Sequence, residues 1–164
     1  MIKQLLKEID ACIQNNCFYT ALMAALTIPD ACGKIEYPNE KKPSNRYKFW
    51  CRDWLGYDKR SADENNTQIS EDEIYELRCS LFHEVKFPSK FNTQPNTKFK
   101  LYVDNPMIGS IGTIIRNFDG TVKRKEISIN IKNICYLVCH SASIFINKNK
   151  EKFEVEDEKL EIFD

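Results

Sequence analysis

The segment from Cys17 to Cys32, CFYTALMAALTIPDAC, constrains the fold more than any other stretch of the chain. Apolar residues occur nearly all the way round its helical projection, and such a helix is stable only when other elements surround it. It is expected at the centre of a helical bundle. Ala21, Ala24 and Ala25 leave room for a neighbouring helix to approach closely. Pro29 falls inside the pattern and is expected to kink or weaken the last turn, and Gly33 reads as a C-cap. Thr27 and Asp30 are polar positions on this otherwise buried element. Asp30 either pairs with an arginine from another helix or faces solvent near the kink.

The flanking segments supply the surrounding helices. Ile2 to about Asn15 places Ile2, Leu5, Leu6, Ile9, Cys12 and Ile13 on one stripe. Tyr37 to Asn45 reads as a loop, and Arg46 to Leu55 as a short aromatic helix ended by Gly56. Its Tyr47, Phe49, Trp50 and Trp54 can stack bases, but their helical spacing favours a place in the core. Asn130 is a plausible N-cap for a last long helix reaching about Asn147. Between these helical parts, Phe99–Asp104, Ile111–Phe118 and Val122–Ile129 alternate like strands, and Asp119-Gly120 signals a hairpin. The expected architecture is mainly α: a bundle of four to five helices carrying a small antiparallel β-hairpin or sheet, about residues 98–130, before the last helix. Residues 1–150 read as one domain, and 151–164 as an acidic tail with partial order at most.

Charge narrows the function only a little. The chain has 24 basic and 24 acidic residues among 164, so no overall field points to a nucleic-acid or membrane partner. The balance is uneven along the chain. The tail from Glu151 carries seven acids against two lysines, whereas Glu84–Asn130 carries eight Lys and Arg against four Asp and Glu. A mildly basic body is compatible with RNA. Met1 opens directly into a charged amphipathic segment, and no apolar run approaches the roughly 18 residues of a membrane span. A cytoplasmic setting with reduced thiols is therefore expected for the seven cysteines. Cys135, Cys139 and His140 can in principle join Cys79 or His83 around zinc, but no CxxC occurs, and buried cysteines acting as small hydrophobes fit the pattern better.

The stretch SEDEIYELRCSLFHE, Ser70 to Glu84, carries the chemistry. Ser70 and Glu73 have capping-box spacing, and Glu71, Asp72 and Glu73 place negative charge in the first turn. Ile74, Leu77, Leu81 and Phe82 follow at helical spacing, which predicts a helix over about 71–82. Arg78 falls in its last two turns, and His83 at or just past its end. Separately, the arginine fits a cation balancing Glu73 and the helix dipole, and the histidine fits a helix-end imidazole on a free carbonyl. On an ideal helix the two lie about 140° apart. They converge if the helix frays at His83 or if a second copy packs alongside.

The words Arg78-Cys-Ser-Leu-Phe-His83, with ALTIPDACGKIE upstream and the aromatic FWCRDWL, resemble the HEPN superfamily and in particular bacterial HEPN-like proteins. The resemblance covers the helical part, roughly residues 1–83 and 130–147. It implies a HEPN-like bundle acting as a homodimer, with both Rx4H motifs at the interface. It further implies a metal-independent endoribonuclease, needing no cofactor, that cuts single-stranded RNA in bacterial stress or antiphage defence. An antitoxin or other regulatory protein partner belongs to the same picture. His83 would then be the general base or acid, and Arg78 would hold the scissile phosphate. Lys86 and the run Lys123-Arg124-Lys125 would track the RNA backbone, although a lysine-rich run also fits a solvated strand edge that blocks aggregation. Asp30 and Cys79 would support the site. The family often has a polar asparagine, aspartate or histidine where this chain has Cys79. That departure, with the zero net charge, favours the alternative of a non-catalytic dimer module that binds a nucleotide or a protein.

Overall fold

The computed structural model describes residues 2–57, 69–82, 97–104 and 110–157. The fold is mainly helical with a small three-stranded sheet. Helix α1 (Ile2–Gln14) packs on α2 (Phe18–Ala25), followed by α3 (Ile28–Glu36), α4 (Pro43–Leu55) and α5 (Glu71–Phe82). Strands β1 (Thr97–Tyr102), β2 (Ser110–Arg116) and β3 (Val122–Asn130) come next, then α6 (Ile131–Lys148) and α7 (Lys150–Asp157).

The central apolar segment is two helices rather than one. The chain breaks at Leu26-Thr27, where the Thr27 hydroxyl donates to the Ala24 carbonyl at 2.7 Å. Pro29 then sits in the first turn of α3, where its missing N–H needs no acceptor. The proline thus starts a helix instead of kinking the end of one. The segment is central as expected: Ala21, Leu22, Ala25, Leu26, Ile28 and Cys32 have no measurable exposure. Gly33 is not a C-cap. It lies buried within α3, and a Cβ there would meet the Arg46 carbonyl oxygen at 2.6 Å. Only glycine lets α3 and α4 cross this closely.

The aromatic helix divides its residues between core and surface. Tyr47 and Trp50 are fully buried, while Trp54 is partly buried and stacks on Trp50 at 6.4 Å. Phe145 of α6 meets both tryptophan rings edge-on, and Phe153 of α7 meets Phe145 in turn. That last contact explains why the chain beyond Lys150 remains helical as far as Asp157: α7 places Phe153 on the core. Leu160, Ile162 and Phe163 of the tail lie outside the described residues. At the other end of α4, Gly56 takes a left-handed φ of 76° and caps the helix, as its position predicts.

The sheet is mixed, not antiparallel throughout. Its order is β1-β3-β2, with β2 antiparallel and β1 parallel to β3. The β2–β3 hairpin turns at Asp119-Gly120, where Gly120 has φ 82° and Asn117 N–H donates to the Thr121 carbonyl. The hairpin leaves the far edge of β3 open. β1 takes that edge in the same direction as β3, and the chain between these two parallel strands passes through β2 rather than a tight turn. β3 runs into α6 without a loop, and the Asn130 side chain accepts from the Asn133 N–H at 3.1 Å as the N-cap. Ile127 and Ile129 face the helices and join their core.

Candidate functional site

Helix α5 is fixed at its start by the capping box legible in the sequence. Ser70 N–H donates to Glu73 Oε2 at 2.9 Å, and Glu73 N–H donates to Ser70 Oγ at 3.4 Å. Glu73 has a second role. Its Oε1 lies 2.6 Å from Lys125 Nζ of β3, and both side chains are more than nine-tenths buried. The sheet is thus tied to the first turn of α5 by an ion pair sealed from solvent. Ile74 and Leu77 turn into the core, which sends Arg78 toward the surface.

Arg78 is held from outside its own helix. Its Nη2 lies 2.8 Å from Asp30 Oδ2, on the first turn of α3, with the two side chains 25% and 33% exposed. Of the two alternatives the sequence leaves open for Asp30, the ion pair is the one observed. The guanidinium also lies against two rings of α5, 6.0 Å from the Tyr75 centroid and 5.5 Å from that of Phe82. Its Nε–H is buried with no acceptor among the described residues. Burial works against the charged form, but the charge and hydrogen bond of Asp30 outweigh it, and the Arg78 pKa stands above the ordinary arginine value. Arg78 is thus a fixed, permanently charged donor fork at the protein surface.

Tyr75 is the floor of this arrangement. Burial, then the neighbouring Cys79 thiol, pushes its phenol up. Tyr47 meets its ring edge-on at 5.3 Å, and Lys48 Nζ lies 5.2 Å from the ring centroid while pairing with Asp72 at 2.7 Å. Cys79 is half-buried beside this ring. Tyr75, three residues before Arg78, is a neighbour that helical spacing could have disclosed. Lys48 carried no such signal, because α4 and α5 meet only in the folded chain.

The remaining sequence-predicted residues divide sharply. His83 and Lys86 lie outside the described residues. Lys123, Arg124 and Lys125 do not form one basic track, because successive strand residues point to opposite faces. Lys123 is exposed, and Arg124 Nη2 pairs with Glu126 at 2.8 Å. Glu126 also takes Lys100 of β1 at 2.6 Å. Lys125 points inward to Glu73 and is withdrawn from any phosphate contact. It also meets α5 five residues upstream of Arg78, about 7.5 Å along the axis.

Among the described residues, no three His, Cys, Asp or Glu side chains gather as a metal site. Burial pushes the Cys32 and Cys135 thiols up to about 12 and Cys139 up to about 11, the opposite of what a thiolate ligand needs. All seven cysteines are free. Among the described residues, no helix is long and apolar enough to cross a membrane. Comparison with protein-family models, with curated proteins and with solved structures gives no match to this chain.

Proposed function

We propose that this chain is a metal-independent endoribonuclease of the HEPN type, active as a homodimer on single-stranded RNA, with Arg78 and His83 as its catalytic pair. The observation that supports this most is the placement of Arg78. A capped helix carries it to the surface, Asp30 fixes one edge of its guanidinium, and Tyr75 and Phe82 flank it. His83 follows directly after Phe82 in the chain.

The roles follow from the chemistry of phosphodiester transfer. One imidazole takes the proton from the RNA 2′-hydroxyl, whose oxygen attacks the adjacent phosphorus. The bond from phosphorus to the 5′-oxygen breaks, and a protonated imidazole returns a proton to that oxygen. The products are a 2′,3′-cyclic phosphate and a 5′-hydroxyl. Imidazole suits both steps because its unperturbed pKa lies near working pH. Arg78 offsets the charge that builds on the non-bridging oxygens, and its anchorage to Asp30 lowers the reorganisation needed at that moment. Two chains supply the two imidazoles across a two-fold axis.

A second reading has its own observation. Arg78 is already engaged by Asp30 and two rings, and Cys79 occupies the position that is often a polar residue in the family. Both fit a module whose arginine holds a dimer or a bound partner together.

One assay separates the two readings. Purified protein is incubated with single-stranded RNA in EDTA, its assembly followed by sedimentation. The nuclease reading expects cleavage to cyclic-phosphate ends and its loss in His83→Ala with the dimer intact. Cleavage undiminished in His83→Ala overturns it. Absence of cleavage, with loss of the dimer in Arg78→Glu, establishes the second reading in its place.

A further inference from the structure

A groove whose wall includes Asp30, the partner of Arg78, has the makings of a second ligand site. Where α3 crosses the start of α4, two adjoining hollows of about 510 and 610 Å³ share Lys34 and Arg46 in their walls. Among the described residues the first hollow is basic: Lys34, Arg46 and Lys152 line it against the one carboxylate of Glu36. The second is an apolar trough with Leu5, Ile28, Ala31 and Pro43 in its wall. Of the carboxylates in its wall, Glu8 accepts from Gln4 at 3.1 Å and Asp30 pairs with Arg78.

Arg46 joins the two halves and is poorly satisfied by the protein. A guanidinium has five N–H donors. The Arg46 side chain donates a long hydrogen bond, 3.4 Å from Nη1 to the Glu40 carbonyl, and its Nε–H is buried with no acceptor among the described residues. Gly33 sets the geometry, because the close passage of the Arg46 carbonyl over it brings the arginine alongside Lys34. A wall with cations at one end and hydrocarbon at the other selects a ligand with the same division.

We propose that this groove binds a small organic oxyanion. Its acidic head lies among Lys34, Arg46 and Lys152, and its apolar body fills the trough beside Leu5, Ile28 and Ala31. The proposal does not rest on the nuclease reading, and Asp30 is the residue common to both sites.

The test is a calorimetric or heteronuclear NMR titration of the full chain with phenyl phosphate and with inorganic phosphate. Phenyl phosphate should bind about tenfold more tightly, because only it uses the trough. Arg46→Gln should weaken both by about tenfold. Ala31→Leu, which fills the trough, should remove only the advantage of the phenyl group. Lys152 is exposed on α7, so Lys152→Gln serves as a second variant without disturbing the core, with about threefold weakening of both probes expected. Failure of the wild-type chain to bind phenyl phosphate overturns the proposal. So does binding that neither Arg46→Gln nor Lys152→Gln weakens.

Discussion

The two ends of α5 carry ion pairs of similar length and opposite character. At its first turn, Glu73 and Lys125 meet at 2.6 Å with side-chain exposures of 4% and 9%. About one and a half turns later, Arg78 and Asp30 meet at 2.8 Å with exposures of 25% and 33%. The first pair joins sheet to helix and has no route to a substrate. The second holds a cation at the surface while leaving part of it in reach of solvent. Distance alone would rank the pairs as equals, whereas exposure separates structural charge from charge available for chemistry.

The largest effect should come from the buried pair. Glu73→Ala removes a helix cap and takes the carboxylate from a buried lysine, and it should cost about 3–5 kcal/mol in urea unfolding. Glu73→Gln should cost less, because the amide oxygen can still accept from the Ser70 N–H. Adding Lys125→Met to that background should restore stability by removing the charge that Glu73 balanced. A loss of less than about 1 kcal/mol in Glu73→Ala would mean that the buried pair is no more structural than the exposed one.

The next effect concerns the platform that presents Asp30. Gly33→Ala places a methyl group 2.6 Å from a backbone oxygen of α4, which cannot rotate away as a side chain would. Helices α3 and α4 must separate, at a cost of about 1–3 kcal/mol in thermal or urea unfolding. Since Asp30 rides on α3, the same variant should lower any RNA cleavage by more than its stability loss alone explains. Cleavage unchanged in a destabilised Gly33→Ala would show that Arg78 does not depend on the α3 platform.

How much of this was legible in the sequence depends on the range of each interaction. The α5 capping box, the Asn130 cap and the Gly56 terminus are settled within a few residues, and pattern reading finds them. The central position of the Cys17–Cys32 segment followed from apolarity on every side, but its break at Leu26-Thr27 did not. Pro29 is compatible both with weakening one helix and with starting another. Gly33 is ambiguous for a related reason: a glycine near a helix end suggests a cap, and only the passage of Arg46 shows that space is the need. The inward turn of Lys125 depends on how β3 docks on α5, and the parallel pairing on β1 taking the free edge of the hairpin; no local pattern encodes either. For the same reason a basic run in the sequence did not become a basic track in space. Asp30 and Arg78 stand 48 positions apart, so their pairing was visible only as one of two options.

The smallest effect is the sharpest test of the contrast. A double-mutant cycle of Asp30→Asn with Arg78→Gln should return a coupling of only about 0.5–1 kcal/mol, because both groups remain partly solvated. That coupling should fall when salt is raised toward about 1 M, where screening acts over roughly 3 Å. The corresponding cycle of Glu73→Gln with Lys125→Met should be larger and nearly indifferent to salt. For RNA cleavage the ranking should invert. Asp30→Asn releases the arginine proposed to face the substrate and should cost more activity than stability, whereas Glu73→Gln should cost more stability than activity. If both pairs respond to salt alike, exposure does not distinguish their roles. If Asp30→Asn leaves cleavage intact, Arg78 acts without its anchor, and Asp30 belongs with Glu73 among the purely structural acids.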